Sequence, residues 1–288
     1  MSITSPSAVV LGTAQDGGYP QAGCKASCCN SPDFLENGPL YPSSLAICDP
    51  GGNQRWIIDC TPSFPQQLAL LEKTAPLNGI PGFLLTHAHT GHYTGLIHLG
   101  REVLNATGVE VYALRGMKAF LENNLPWKEL VDGKNIKLRL TEPAQYLDLS
   151  PGIRVTPYLV PHRDEYSETA CFQVDGPSRS LLWLPDIDTW EDMNPSIEEL
   201  ISGVDLAFLD GTFFNAEELP GRDISSIAHP FIEDSINRFS DLPDGEREKI
   251  RFIHLNHSNP AIHPGSTAAA RIEQAGHSIA RQGDLIEL

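Results

Sequence analysis

The chain has 288 residues, 41% of them hydrophobic and 20% charged, which is enough to bury a substantial core and excludes a disordered or collagen-like protein. Its formal net charge of -17 repels a phosphate backbone, and no local basic patch offsets it, so nucleic acid is not an expected partner. Nothing in the chain has the length and apolarity of a bilayer span, and residues 1–8 are polar and include Pro6, so a cytoplasmic protein away from membranes is expected.

Short runs rich in Val, Ile, Leu and Phe predict strands at residues 8–11, 45–48 and 56–59, followed by a helix at 64–73 and a strand at 83–86. Helical spacing at 96–104 precedes a strand at 109–113 and a helix at 117–123. Strands at 153–160, 170–174 and 181–184 follow, then a helix at 197–201 and a strand at 206–209. The pattern closes with a helix at 231–239, a polar surface loop at 241–248, a strand at 251–255 and a helix at 267–275. Interspersed strands and helices predict a layered α/β fold with sheets inside and helices outside. No repeat or linker divides residues 1–288, so one domain is expected.

The strand that ends at Leu85-Thr86 runs directly into His87-Ala88-His89-Thr90-Gly91-His92. In an extended chain His87 and His89 face one way, and the turn that follows brings His92 round to meet them. Three imidazoles at the end of a buried strand are rigidly held and can converge on one or two ions. Among the other histidines, His98 reads as a structural residue of the following helix, and His263 and His277 as surface positions.

Six cysteines are too sparse for a disulfide scaffold in a chain of this size. Cys24, Cys28 and Cys29 crowd together in a way that suggests metal binding in a reducing compartment, while Cys48, Cys60 and Cys171 lie in apolar strands and read as core.

His-x-His-x-x-His after an apolar strand resembles the metallo-β-lactamase superfamily signature His-x-His-x-Asp-His. The resemblance implies a four-layer αββα sandwich of the metallo-β-lactamase type. It places His87, His89 and His162 at a first metal ion, His92 and His254 at a second, Asp186 between the two, and Asp59 as the supporting acidic residue. Gly91 stands where the superfamily has an aspartate ligand, which predicts weaker occupancy of the second site.

The run from Leu11 to Gln21 followed by Cys24, the segments Asp210-Gly211-Thr212-Phe213 and Gly221-Arg222-Asp223, and His254-Leu255-Asn256 with Ser258-Asn259-Pro260 resemble the pyrroloquinoline quinone (PQQ) biosynthesis protein B family. Members of this group, and a related phosphodiesterase of the carbon–phosphorus lyase pathway, carry a structural zinc on Cys-x-Cys-x-x-Cys. Here Ala26 takes the middle position and Cys28 lies beside Cys29. The phosphodiesterase completes its zinc with a histidine three residues after the last catalytic one, which corresponds to His257. The resemblance therefore implies a structural zinc on Cys24, Cys28, Cys29 and His257, and Zn, Fe or Mn at the active site.

The default superfamily chemistry is hydrolysis by metal-activated water, with His92 or Asp186 orienting the nucleophile and a second ion or His229 stabilising developing negative charge. The narrower family implies an alternative, an iron- and oxygen-dependent hydroxylase acting on a tyrosine-derived PQQ precursor. A third reading is a non-catalytic small-molecule carrier with a degenerate metal site, favoured by Gly91. The expected partner is a small-molecule or peptide-derived substrate, with Asp16, Tyr19, Phe213, Phe214 and Arg222 as candidate pocket residues and a homodimer as the commonest assembly of soluble enzymes.

Overall fold

The computed structural model describes residues 3–30, 38–218 and 228–288. The first half comprises β1 (Ser7–Gly12), β2 (Ser44–Asp49), β3 (Gln54–Ile58), α1 (Phe64–Thr74), β4 (Gly79–Leu84), α2 (Thr90–Tyr93), β5 (Val109–Ala113), α3 (Arg115–Asn123), α4 (Trp127–Asp132) and β6 (Ile136–Leu140). The second comprises β7 (Leu147–Ser150), β8 (Ile153–Val160), β9 (Thr169–Asp175), β10 (Ser180–Leu184), α5 (Ile197–Ser202), β11 (Leu206–Asp210), α6 (Ile232–Arg238), α7 (Asp244–Arg247), β12 (Ile250–Ile253), α8 (Thr267–Gln274), β13 (Ser278–Ile279) and β14 (Leu285–Glu287).

The described strands form two seven-stranded mixed sheets, ordered β14-β1-β2-β3-β4-β5-β6 and β13-β12-β11-β10-β9-β8-β7. Their side chains divide by the period of two. Val9 and Leu11 face the helices α1 and α3, whereas Ala8 and Val10 face the opposite sheet. In the second sheet Leu182 and Leu184 face α5 and α6, whereas Leu181 and Trp183 meet the first sheet. Both faces of a central strand are thus buried, which is why these segments read as continuous apolar runs rather than alternating ones. The result is the expected αββα sandwich, and truncating an inter-sheet residue such as Phe172 or Phe208 to alanine would cost about 3–5 kcal/mol.

Three local expectations need correction. The segment expected as a helix at 96–104 is a 3-10 turn over Thr94–Leu99, because the Gly95 amide is drawn to the Cys60 carbonyl and the Gly100 amide closes on Ile97 three residues back. The surface segment 241–248 contains the short helix α7. His277 is not a surface residue: it is buried, with its ring against Phe239 and Phe252 and its Nδ1–H donating to the Arg247 carbonyl at 2.9 Å. His98 packs its ring near Phe64 as a structural residue would, and His263 is half-buried with its ring edge-on to Tyr19. Cys48, Cys60 and Cys171 are core residues, as expected.

Candidate metal centre

The C-terminal ends of six strands meet at one rim of the sandwich. β3 delivers Asp59, β4 the segment Thr86–His92, β8 His162, β10 Asp186, β11 Asp210 and β12 His254. Asp59 and His254 have left-handed backbones, with φ 63° and 64°, a conformation that costs free energy in a non-glycine residue and is found where a site over-determines it.

His87, His89, His162 and Asp186 form the first cluster, with one ligand atom from each within 4.8 Å of all the others. His87 Nε2 lies 2.8 Å from His89 Nδ1, His162 Nε2 3.1 Å from His89 Nδ1, and Asp186 3.3 Å from His162 Nε2 and 3.4 Å from His87 Nε2. Ligands about 2.0–2.1 Å from a tetrahedral ion stand about 3.3–3.4 Å apart, so these separations fit one ion with little movement. Burial pushes the His87 imidazole well below its ordinary range and keeps it neutral, the form that ligates.

Each imidazole is held from behind. His92 Nδ1–H donates to Asp59 at 2.7 Å, His162 Nδ1–H to Asp188 at 2.6 Å and His89 Nε2–H to Glu165 at 3.2 Å, while His87 and His254 use Thr86 and Thr212 at 3.0 and 2.9 Å. Such partners fix the tautomer and leave the other ring nitrogen as a lone pair aimed into the site.

The second cluster holds His92, His254 and a residue from far away in the chain, Asp16. Asp16 Oδ1 lies 3.2 Å from His92 Nε2 and 3.6 Å from His254 Nε2, and Asp186 Oδ2 is 3.7 and 3.9 Å from the same two nitrogens. These contacts are not aligned as hydrogen bonds. Asp16 Oδ1, His92 Nε2, His254 Nε2 and Asp186 Oδ1 are all buried without a hydrogen-bond partner, a costly arrangement that cations between them would relieve. Burial opposes ionisation of Asp186, but the surrounding imidazoles His254, His162 and His229 outweigh it and hold the carboxyl well below the usual range.

Beside this pair, His229 Nδ1–H donates to Asp210 Oδ2 at 2.8 Å and stands 3.5 Å from Asp186 Oδ1. Asp210 is fully buried and also accepts the amides of Ile187 and Thr212. Burial works against a charge on His229, yet Asp210 and then Asp186 prevail and raise it to about 9. Sequence reading assigned Asp210, Asp188 and Glu165 no role. Asp210 carried a signal in Asp210-Gly211-Thr212-Phe213, and Asp188 in its position two residues after Asp186.

Of the candidate pocket residues, Phe213 packs its ring near His229 and Phe214 joins the helix-side core. Tyr19 is buried in the cysteine cluster, and Arg222 lies outside the described residues.

The cysteine cluster is separate. A 3-10 turn over Ser27–Cys29 turns the two adjacent cysteines toward a common point. Cys24 and Cys28 sulfurs are 3.9 Å apart, and His257 Nδ1 is 3.6 Å from Cys28 Sγ and 3.3 Å from Cys29 Sγ. Zinc bonds of about 2.3 Å to sulfur and 2.0 Å to nitrogen require edges of about 3.8 and 3.5 Å. Both Cys28 and Cys29 therefore reach, and Cys24, Cys28, Cys29 and His257 match a structural Cys₃His zinc site.

The Beta-lactamase superfamily domain matches residues 54–254, spanning Asp59 and every residue of the first cluster. The chain belongs to this family. Over 311 residues it is 25% identical to the Coenzyme PQQ synthesis protein B of Methylorubrum extorquens (strain PA1), covering 97% of this chain and 99% of that protein. The crystal structure of Zn(2+)-bound PqqB from Methylobacterium extorquens superposes with a TM-score of 0.81 at 23% identity, covering 98% of this chain and 100% of that one. A diphosphatase from the PhnP family superposes with a TM-score of 0.72 at 21% identity, covering 99% and 98%. The kinship to the PQQ protein B family expected from the N-terminal run and the later segments extends, as expected, over nearly the whole chain. Among the described residues, no helix is long and apolar enough to cross a membrane.

Proposed function

We propose that the chain is a metal-dependent hydrolase of a small-molecule or peptide-derived ester or phosphoester. The observation that carries this reading is the convergence of His87, His89, His162 and Asp186, each histidine locked from behind and open toward the site. These residues would hold one ion, and His92 and His254 would help hold another, with Asp186 between. A divalent cation bound there supplies Lewis acidity and a water that ionises near neutral pH.

The protein's own groups do the rest. Asp186, facing both clusters, accepts a hydrogen bond from the attacking water and orients it. His229, fixed through Nδ1 by Asp210, presents positive charge 3.5 Å from Asp186 Oδ1, where it stabilises the negative charge that develops on the reacting centre. Phe213, packed near the His229 ring, limits water beside that contact. The test is turnover of a panel of activated carboxylic esters, phosphodiesters and diphosphates by chelator-stripped and metal-reloaded protein. Metal-dependent turnover lost in His89→Ala is the expected result. Absence of turnover on every class with metal fully bound would favour the carrier reading.

A second reading is favoured by the donor set. Mostly imidazole ligands with one shared carboxylate suit ferrous iron as well as zinc, and the relatives are named for PQQ synthesis. An oxygen-dependent hydroxylase would consume dioxygen with a tyrosine-like substrate only when iron-loaded. Full activity of the zinc form without oxygen removes this alternative.

A further inference from the structure

Gly91 lacks the carboxylate that its position supplies in the superfamily signature, and the second site was expected to be weak for that reason. Around Gly91 the space is not empty. A Cβ built on Gly91 would lie 2.2 Å from Asp16 Oδ1, 2.4 Å from Asp16 Cγ and 2.7 Å from Asp16 Cα. A side chain at 91 and the carboxyl group of Asp16 therefore compete for one volume.

We propose that Asp16 supplies the carboxylate ligand that position 91 lacks, so that the second ion is held by Asp16, His92 and His254 with Asp186 alongside. The inference rests on the metal centre read above and concerns which residue completes it. Asp16 Oδ1 is at 3.2 and 3.6 Å from the two imidazole nitrogens, close to the about 3.3–3.4 Å edge of a tetrahedral site. The Asp16 side chain is one-third exposed as a whole, yet Oδ1 is buried and unpaired, as are the His92 and His254 nitrogens it faces, each in a residue only 1% exposed. A carboxylate oxygen and two imidazole lone pairs repel one another unless a proton or cation lies between them.

The backbone holds Asp16 there. Beyond β1, Leu255 donates its amide to the Thr13 carbonyl, and the Gln15 amide donates to the Leu255 carbonyl, both at 2.9 Å. The residue before Asp16 is thereby tied to the residue after His254. Gly91 and Asp16 read as a compensated exchange: the ligand comes from the N-terminal loop, and glycine at 91 makes room for it.

The test is zinc per chain after dialysis, with zinc affinity by titration, for wild type, Asp16→Asn, Asp16→Ala, Gly91→Asp and the double variant Asp16→Gly/Gly91→Asp. Wild type should retain two ions at the histidines beyond the one at the cysteines. Asp16→Asn and Asp16→Ala should each weaken one of the two by about tenfold or more. Gly91→Asp alone should also lose it, because two carboxyl groups cannot share the space, and the double variant should regain it by returning the carboxylate from the other side. This rescue separates ligation from misfolding. Retention of both ions at unchanged affinity in both Asp16 single variants overturns the inference alone, as does a double variant that folds but stays at one ion. A wild type with no ion at the histidines overturns it together with the hydrolase reading.

Discussion

Asp59 Oδ2 lies 2.7 Å from Nδ1 of His92, and the same fully buried carboxylate accepts the amide and hydroxyl of Thr86, at 2.8 and 2.9 Å. One side chain thus orients His92 directly and His87 through Thr86, whose hydroxyl oxygen faces His87 Nδ1 at 3.0 Å. Asp59→Ala is expected to lower metal affinity at the histidines by about 10–100-fold while zinc at the cysteines is unchanged, as read by competition with a chromogenic chelator. Equal loss at both sites would mean general unfolding rather than a role in orienting the two imidazoles.

The Cys24, Cys28, Cys29 and His257 cluster, which matches a structural zinc site, joins the N-terminal loop to the segment after β12. Tyr19 reinforces it, its hydroxyl donating to the Cys28 carbonyl at 2.8 Å. Cys24→Ser should lose one zinc per chain and lower the melting temperature. A site held at a thousand times its Kd contributes about 4 kcal/mol. Because the same loop carries Asp16, the second ion at the histidines should weaken as well. Unchanged zinc content and unchanged melting would contradict the structural role.

His229 stands with Asp186, Asp210 and His254 in a group close enough to hold an ion, and in the proposed chemistry it acts through its charge rather than as a ligand. His229→Gln should lower kcat by about 10²–10³-fold and leave metal content intact, whether measured with zinc or another divalent ion. Loss of an ion in this variant would instead move His229, with Asp210, into the coordinating group.

His277 provides a pH dependence away from the metal centre. Burial among Phe239 and Phe252 pushes its pKa below the ordinary value, against the opposing hydrogen bond to Arg247. The unfolded chain then binds the proton first as pH falls through about 6.5, and stability is lost below that point until the folded-state histidine protonates as well, at a slope no steeper than the one-proton limit of about 1.4 kcal/mol per pH unit. Urea midpoints at pH 7.5 and 5.5 should differ more for wild type than for His277→Gln, which does not titrate. Parallel pH dependences would show that the histidine is not buried neutral.

The sandwich was legible because its central strands are buried on both faces, so 8–11, 45–48 and 181–184 stand out as apolar runs. β6, β7, β13 and β14 were not foreseen, since edge strands mix polar residues into short segments. His87, His89 and His92 carried their meaning in local spacing, and His162, Asp186 and His254 in their place at strand ends. Asp210 and Asp16 carried weaker signals, the one in Asp210-Gly211-Thr212-Phe213 and the other as a candidate pocket residue, because their neighbours at the site come from long-range placement by β11 and by the bridge between Ala14 and Leu255. A gap in a motif is a local signal, but the residue that fills it can come from anywhere the fold brings near. The misplacement of His277 has the same cause: the rings that bury it come from Phe239 and Phe252, which lie in other elements.

The most direct test of the metal centre is the metal content of protein purified without chelator, compared between wild type and the His87→Ala/His89→Ala double variant. The account predicts that the variant stays folded, keeps the zinc at the cysteines and loses at least one ion from the histidine cluster. Metal content identical to wild type in the folded variant would contradict it and leave the protein without the centre on which its proposed chemistry depends.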